Sequence, residues 1–329
     1  MQLDQYVNTF GKYLKKNYQQ RIKKLTINAA FTCPNRDGTL GKGGCTFCNV
    51  KSFNTAQDDE SIKLQLERGK AEHGKKSSKY LAYFQAYTST YQEVEYLRKK
   101  YQEALTQADI IGLCIGTRPD CVPDAVLMLL KEYVDLGYEV WLELGLQSAS
   151  DKTLKRINRG HGFSAYEDAV IRASKLGIKV CTHLIIGLPG EQGEEAMHSL
   201  NQVLQLPVDG LKIHPLHIVE GSTMAKAWRA NRLDVFSMEE YAQIAGELIR
   251  HTPEDIVYHR VSATAHKETL LAPQWCLLRW PSINEVVKNL HQFGAQSASL
   301  PAHQKLHANK NFTLKQSQHI AIQELAIKC

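Results

Sequence analysis

Residues 32–48 read TCPNRDGTLGKGGCTFC, and this stretch bears on fold and chemistry together. Cys33, Cys45 and Cys48 are separated by eleven residues and then by two. They follow directly on the apolar, β-like run 25–31 (LTINAAF). In parallel α/β proteins the loops leaving the C-terminal ends of strands line the functional face. Gly38, Gly41, Gly43 and Gly44 lie between the cysteines, and residues without a Cβ let a backbone approach a bulky inorganic group. Three readings of the thiols stay open on spacing alone. A zinc ion wants four ligands, and a fourth such as His73 would have to come from the polar 50–78 region. A redox dithiol uses Cys45 and Cys48 and leaves Cys33 without a task. An iron–sulfur cluster held by three thiolates, where four are usual, leaves one iron open to a small ligand and implies chemistry there.

Outward from this loop, β-like runs recur at 25–31, 79–86 (KYLAYFQA), 110–116 (IIGLCIG), 139–146 (EVWLELGL), 179–186 (KVCTHLII) and 211–218 (LKIHPLHI). Amphipathic helical patterns lie between them, as in 91–108, where Val94, Leu97, Tyr101 and Leu105 share one face. Capping-box signals are Thr90 with Glu93, Ser164 with Glu167, Ser237 with Glu240 and Ser282 with Glu285. Pro123 suits the first turn of a helix that Gly137 can end. Another helix is expected at 191–205. Near-continuous apolar strands alternating with helices predict an α/β fold with a parallel sheet buried on both faces. Periodicity alone does not choose between a curled barrel and an open sheet.

The chain has 329 residues, 43% hydrophobic and 22% charged, which allows a large core and excludes general disorder. Its eight cysteines are sparse and uneven, unlike a disulfide scaffold. The first residues lack an apolar signal core, and no run approaches the roughly 18 apolar residues of a membrane span. The expectation is a cytoplasmic protein with reduced thiols and no membrane partner. Net charge is +6, and residues 1–26 alone carry +5, with Lys12, Lys15, Lys16, Arg21, Lys23 and Lys24 against Asp4. A basic segment of this kind is either a solvated helix face or a contact for a polyanion.

With these motifs in place, the sequence resembles the radical S-adenosylmethionine (SAM) superfamily, most closely its YhcC/YtqA-like branch, over about residues 5–293. The three-cysteine loop carries the resemblance. YTSTY (87–91), GTRPD (116–120), LELGLQS (142–148), RINRGH (156–161), LIIGLPGE (184–191) and HPLHIVEGS (214–222) follow in order. The resemblance implies a partial TIM barrel of the (β/α)6 type with a C-terminal extension. The expected organisation is a basic segment at 1–24, a barrel core at 25–235, a cap over the mouth at 236–295 and a peripheral tail ending in a short helix at 296–329. It implies that Cys33, Cys45 and Cys48 hold a [4Fe-4S] cluster whose fourth iron binds SAM. Reductive cleavage of SAM would then give a 5′-deoxyadenosyl radical, with the electron coming from a flavodoxin- or ferredoxin-type donor.

Site roles implied in the same way fall on Phe47 near cluster and adenine, and on Glu143, Gln147 and Arg159 at the SAM ribose and carboxylate. Gly187, Pro189 and Gly190 would form a turn against adenine, with Leu216 and Ile218 lining it. Thr88 fits its position after the second strand. A glycine pair that many relatives have there is absent, and this chain reads Gln85-Ala86-Tyr87-Thr88. Arg118 either serves SAM or substrate, or forms a turn salt bridge with Asp120.

The stretch 259–280 (HRVSATAHKETLLAPQWCLLRW) combines basic and aromatic residues, which suits closure of the mouth over a nucleotide. Cys276 is a candidate relay thiol, against the alternative of an inert buried cysteine. Three functions follow: modification of tRNA at a wobble-uridine side chain, radical chemistry on a small metabolite or tetrapyrrole-type cofactor, or a non-catalytic iron–sulfur or zinc protein. Oligomeric state does not follow from the sequence.

Overall fold

The computed structural model describes residues 1–49, 60–73 and 79–307. The proposed helix at the end of the 296–329 tail and the 50–59 connection lie outside the described residues. Seven parallel strands form the main sheet in the order β1 (Ile22–Ile27), β2 (Lys79–Phe84), β3 (Ile110–Thr117), β4 (Glu139–Gln147), β5 (Lys179–Ile186), β6 (Gly210–Pro215) and β8 (Val257–Arg260). Each strand pairs in parallel with the next, so the chain winds in one direction as successive strand–helix units. This is the expected partial barrel with one strand more. The seventh comes from the 236–295 stretch and pairs Gly210 with Val257 and Leu211 with Tyr258. β7 (Ile218–Val219) and β9 (Leu270–Ala272) form a separate antiparallel pair.

Strand alternation builds two cores. The outer one lies between the sheet and helices that include α3 (Val94–Leu105), α4 (Asp124–Asp135), α6 (Phe163–Lys175), α7 (Gly193–Leu204) and α9 (Met238–Arg250), with Leu97, Leu130, Val170, Leu200 and Leu248 buried in it. The inner core occupies the base of the half-barrel and comprises Ile22, Leu81, Tyr83, Cys114, Trp141, Cys181 and Val257, joined by Phe10 and Leu14 from α1 (Phe10–Tyr18). Phe10 packs edge-on against Trp141 with centroids 5.4 Å apart. Tyr13 and Tyr18 donate to the two oxygens of Glu139, the first residue of β4, at 2.9 and 2.7 Å. The Tyr258 backbone N–H donates to Asn8 O at 2.8 Å. α1 therefore plugs the N-terminal end of the barrel beside its two edge strands, β1 and β8.

Residues 1–24, expected as a basic segment, pack into the barrel through Phe10, Leu14 and Ile22. The Lys12, Lys15 and Lys16 helix sits at the barrel base, opposite the loops that leave the strand ends. Lys24 points into the barrel and pairs with Glu143 at 2.5 Å.

Other local expectations divide. Ser237 and Glu240 form a capping box, and Pro123 starts α4. Thr90 instead hydrogen-bonds Thr117 and the Cys121 carbonyl, and Glu93 becomes the N-cap of α3. α6 starts at Phe163 with Gly162 as its N-cap, two residues too early for a Ser164 cap, and Ser282 lies inside α10 (Arg279–Phe293). Tertiary hydrogen bonds took the hydroxyls of Thr90 and Ser282. Residues 296–307 are not wholly peripheral, since the Gln296 side chain donates to Pro253 O and Ile256 O at 2.6 and 2.9 Å.

The tightest backbone approach is at Gly112, opposite Glu139, where an added Cβ would lie 2.0 Å from Glu139 O. Gly112→Ala is expected to destabilise the fold by about 1–3 kcal/mol, the usual cost of overpacking. A lowered urea midpoint is the readout, and an unchanged one would contradict this contact.

Candidate functional site

A cavity of about 310 Å³ opens at the C-terminal ends of the strands. Cys33, Cys45 and Cys48 line it and carry no disulfide. The loop that presents them is fixed by its own backbone: Arg36 N donates to Cys33 O at 2.8 Å and Cys48 N to Cys45 O at 3.0 Å. Arg36 Nη2 closes it by donating to Cys48 O at 2.7 Å. The loop docks on the turn after α5 (Asp151–Arg156) through Thr46 N to Ile157 O and Asn158 Nδ2 to Gly44 O, both 2.9 Å. A side chain at Gly44 would meet Arg36 Nε at 2.8 Å, which accounts for the glycine there. Burial, then the neighbouring Cys45, pushes the Cys48 thiol up, opposed by Arg36.

Two donors reach the Cys45 sulfur, Arg159 Nη1 at 3.3 Å and Asn35 Nδ2 at 3.6 Å. Arg159 also donates twice to Gly145 O, at 3.2 and 2.6 Å, so it is held by the strand end and faces the thiol. Among the described residues, no three His, Cys, Asp or Glu side chains close on a single-ion site of the kind zinc needs. Three unbridged thiols around one cavity suit a cluster, where each binds a different iron. Among the described residues, the buried polar atoms of the cavity wall that have no partner include Thr88 Oγ1 and Arg118 Nη1. They are available to the polar end of a ligand. The rest of the Arg118 guanidinium pairs with Asp120, at 3.0 and 2.7 Å, as a turn salt bridge.

After β2 the glycine pair is missing, yet the backbone takes positive φ at Ala86 (149°) and Tyr87 (58°). Gln147 at the end of β4 does the same (83°). Strained backbone of this kind concentrates at ligand sites. Phe47, Gln147 and Leu216 also line the cavity.

Other expected site residues are placed elsewhere. Glu143 lines the cavity floor, but its carboxylate is fully buried and committed. Lys24 (2.5 Å) and His259 (3.3 Å) face Oε1, while Lys212 and His183 (3.1 Å) face Oε2. Burial would raise this carboxyl, yet Lys212 and Lys24 hold it well below the usual range. That leaves no oxygen free for a ribose, so the structure corrects the ligand-binding role. Gly187 and Gly190 pack against Phe236 and Arg156, and Arg156 donates to Pro189 O. This turn and Ile218 of β7 are off the cavity lining. Cys276 is also off it, fully buried with Val219 and Leu270, and burial pushes its thiol up, so the relay role is corrected to packing.

Residues that sequence reasoning passed over complete the wall: Tyr83, His183, Lys212, His214 and His217. Polar residues at inward positions of otherwise apolar strands, such as Lys212 and His214 two apart in β6, were the available signal.

Comparison with known proteins follows this geometry. The radical SAM superfamily model matches residues 33–203, and the model for the radical SAM C-terminal domain matches 208–292. Protein YhcC of Escherichia coli K12 is 56% identical over 91% of this chain and 97% of its own. The tRNA uridine(34) acetyltransferase of Dehalococcoides mccartyi is 34% identical over 37% of this chain and 26% of its own. The structure of an N-terminally deleted Elp3 from Methanocaldococcus infernus has a TM-score of 0.58 at 18% identity, over 82% of this chain and 63% of that one, a likeness of fold.

Burial lowers the imidazoles of His183 and His217 to about 4, against an unfolded value near 6.5. As pH falls from 6.5 toward 4, the unfolded chain takes up protons that the folded chain refuses. Stability therefore falls with pH, by up to about 1.4 kcal/mol per unit for each such histidine. Urea midpoints between pH 7 and pH 5 should decline, less steeply for His183→Gln. An identical slope in the variant would remove His183 from this linkage.

Proposed function

Because the chain belongs to the radical SAM superfamily, we propose that its cavity is the site of SAM cleavage and that its final substrate is tRNA, at the side chain of a wobble uridine. The protein is a radical SAM enzyme. Cys33, Cys45 and Cys48 are the residues to hold a [4Fe-4S] cluster, with Thr88 and the free Arg118 Nη1 meeting the polar end of SAM. When bound, these groups supply one-electron cleavage of the SAM sulfonium to methionine and a 5′-deoxyadenosyl radical. Around them the protein orients and excludes water. Phe47 and Leu216 offer apolar surface, Arg159 and Asn35 polarise the Cys45 sulfur, and α1 seals the base. A flavodoxin- or ferredoxin-type donor is the partner proposed for the electron.

The observation that carries the radical SAM reading is the convergence of three unbridged thiols and two orphan donors on one cavity. The tRNA part rests on the partial relative named as a tRNA uridine(34) acetyltransferase. A second reading, a small metabolite or tetrapyrrole-type substrate, is favoured by the position of the basic helix α1 at the barrel base, away from the mouth.

Anaerobic reconstitution should give about four irons per chain, with 5′-deoxyadenosine formed on adding SAM and dithionite. Cys45→Ala should abolish both, and continued SAM cleavage in that variant would remove Cys45 as a ligand. Nucleoside profiles of tRNA from cells lacking the gene decide the substrate, since an unchanged profile favours the metabolite. Hydrogen bonds to cluster sulfurs raise the reduction potential. Arg159→Leu is therefore expected to make the cluster potential more negative by tens of millivolts, roughly, in an EPR-monitored titration. An unshifted potential would count against that role.

A further inference from the structure

The cavity has two unlike walls. β1–β4 and their loops supply the thiols, Thr88, Arg118 and Gln147. β5, β6 and β8 supply a second wall, centred on His214, His217 and Arg260. Every other cationic side chain on the cavity already has a partner: Arg36 the Cys48 carbonyl, Arg118 Asp120, Arg159 Gly145 and the Cys45 sulfur, and Lys212 Glu143. The exposed side chain of Arg260, the last residue of β8, has no hydrogen bond or ion pair among the described residues. Arg260 pairs in the sheet with Lys212, two residues before His214, and Arg260, His214 and His217 all line the cavity; the Arg260 charge also lowers both imidazoles. Nε2 of each histidine is buried and without a partner, while the His217 ring is anchored to the backbone of Ala263. Glu143 is the sole carboxylate lining the cavity among the described residues, and Lys24, Lys212, His183 and His259 occupy its oxygens.

We propose that Arg260, with His214 beside it, forms a subsite for an anionic group of the substrate, a carboxylate or a phosphate, separate from the place where SAM binds. The described residues supply no counter-anion for this guanidinium, and a guanidinium fork pairs with either oxyanion through two parallel bonds. A neutral His214 with its proton on Nε2 donates to the same oxyanion, whereas His217, whose ring donates to the backbone of Ala263, presents Nε2 as an acceptor for a hydroxyl of the bound molecule. The subsite is built into the sheet, because Arg260 ends a strand and His214 lies in the neighbouring one. The inference deepens the radical SAM reading and rests on it for what the captured molecule undergoes.

The test uses reconstituted protein with saturating SAM, titrated calorimetrically with inorganic phosphate in one arm and acetate in the other. Saturable binding of one of them is expected, and the stronger arm identifies the oxyanion. Arg260→Gln should weaken it about ten-fold or more and Arg260→Lys by less, since Lys keeps the charge and loses the fork. Lys267→Gln, on the same segment but exposed and off the cavity, should bind as wild type. Equal weakening by Lys267→Gln, unchanged binding in Arg260→Gln, or loss of anion binding on adding SAM would each overturn the subsite. Melting curves establish that the variants are folded. If iron and 5′-deoxyadenosine are present but neither anion binds, the subsite fails and the radical SAM reading stands. If an anion binds to protein that takes up no iron, the reading fails and the subsite stands.

Discussion

One buried carboxylate organises the barrel interior. Glu143 lies near the middle of the central strand β4, and the groups that pair with its oxygens arrive from β1, β5, β6 and β8. A charge so far from water is tolerable only if its partners are in place, since a broken buried pair costs about 3–5 kcal/mol. The carboxylate therefore constrains curvature. Lys24 and His259, on the two edge strands, meet at 3.0 Å and both face Glu143 Oε1, which they reach only if the sheet curls. Apolar residues fill the space below this layer, and above it the interior opens into the cavity.

The same layer separates two electrostatic regimes. Toward the thiols, Arg159 and Asn35 are spent on the Cys45 sulfur and on backbone carbonyls, an arrangement suited to stabilising negative charge on a cluster. Toward β6 and β8, the histidines stay neutral because burial and the nearby cations keep protons away. Neutral rings beside an unpaired guanidinium make a surface that is polar without being saturated. The pairing pattern, more than net charge, separates what the fold has used from what it has left for a ligand.

Much of the architecture was legible because strand burial and sequence periodicity say the same thing. The largely apolar runs 139–146 and 179–186 need cover on both sides, and helices between them provide it for the outer one. The thiols were legible because C-x-x-C after a strand is a local pattern. What was missed depends on distance along the chain. β8 is four residues long and carries His259 and Arg260, so no alternation marks it as a strand. Lys24 reads as one more charge in a basic run, and only the register of β1 turns it inward. Glu143 was read as a ligand residue because the resemblance places it, with Gln147 and Arg159, at the SAM ribose and carboxylate. Its partners lie 119 and 69 residues away, beyond any local pattern.

The helix that plugs the barrel base carries a consequence for the order of synthesis. Asn8 and Phe10 dock on Tyr258 and His259, about 250 residues further along the chain. A ribosome needs on the order of tens of seconds to cover that distance. For that time the first helix has no seat, and the Lys24 ammonium lacks the histidine at the far edge of the sheet. The nascent chain thus holds a row of parallel strands whose curl awaits its final strand. Closure of the base and completion of the Arg260 wall are then one event, because both depend on the arrival of the same four residues, 257–260.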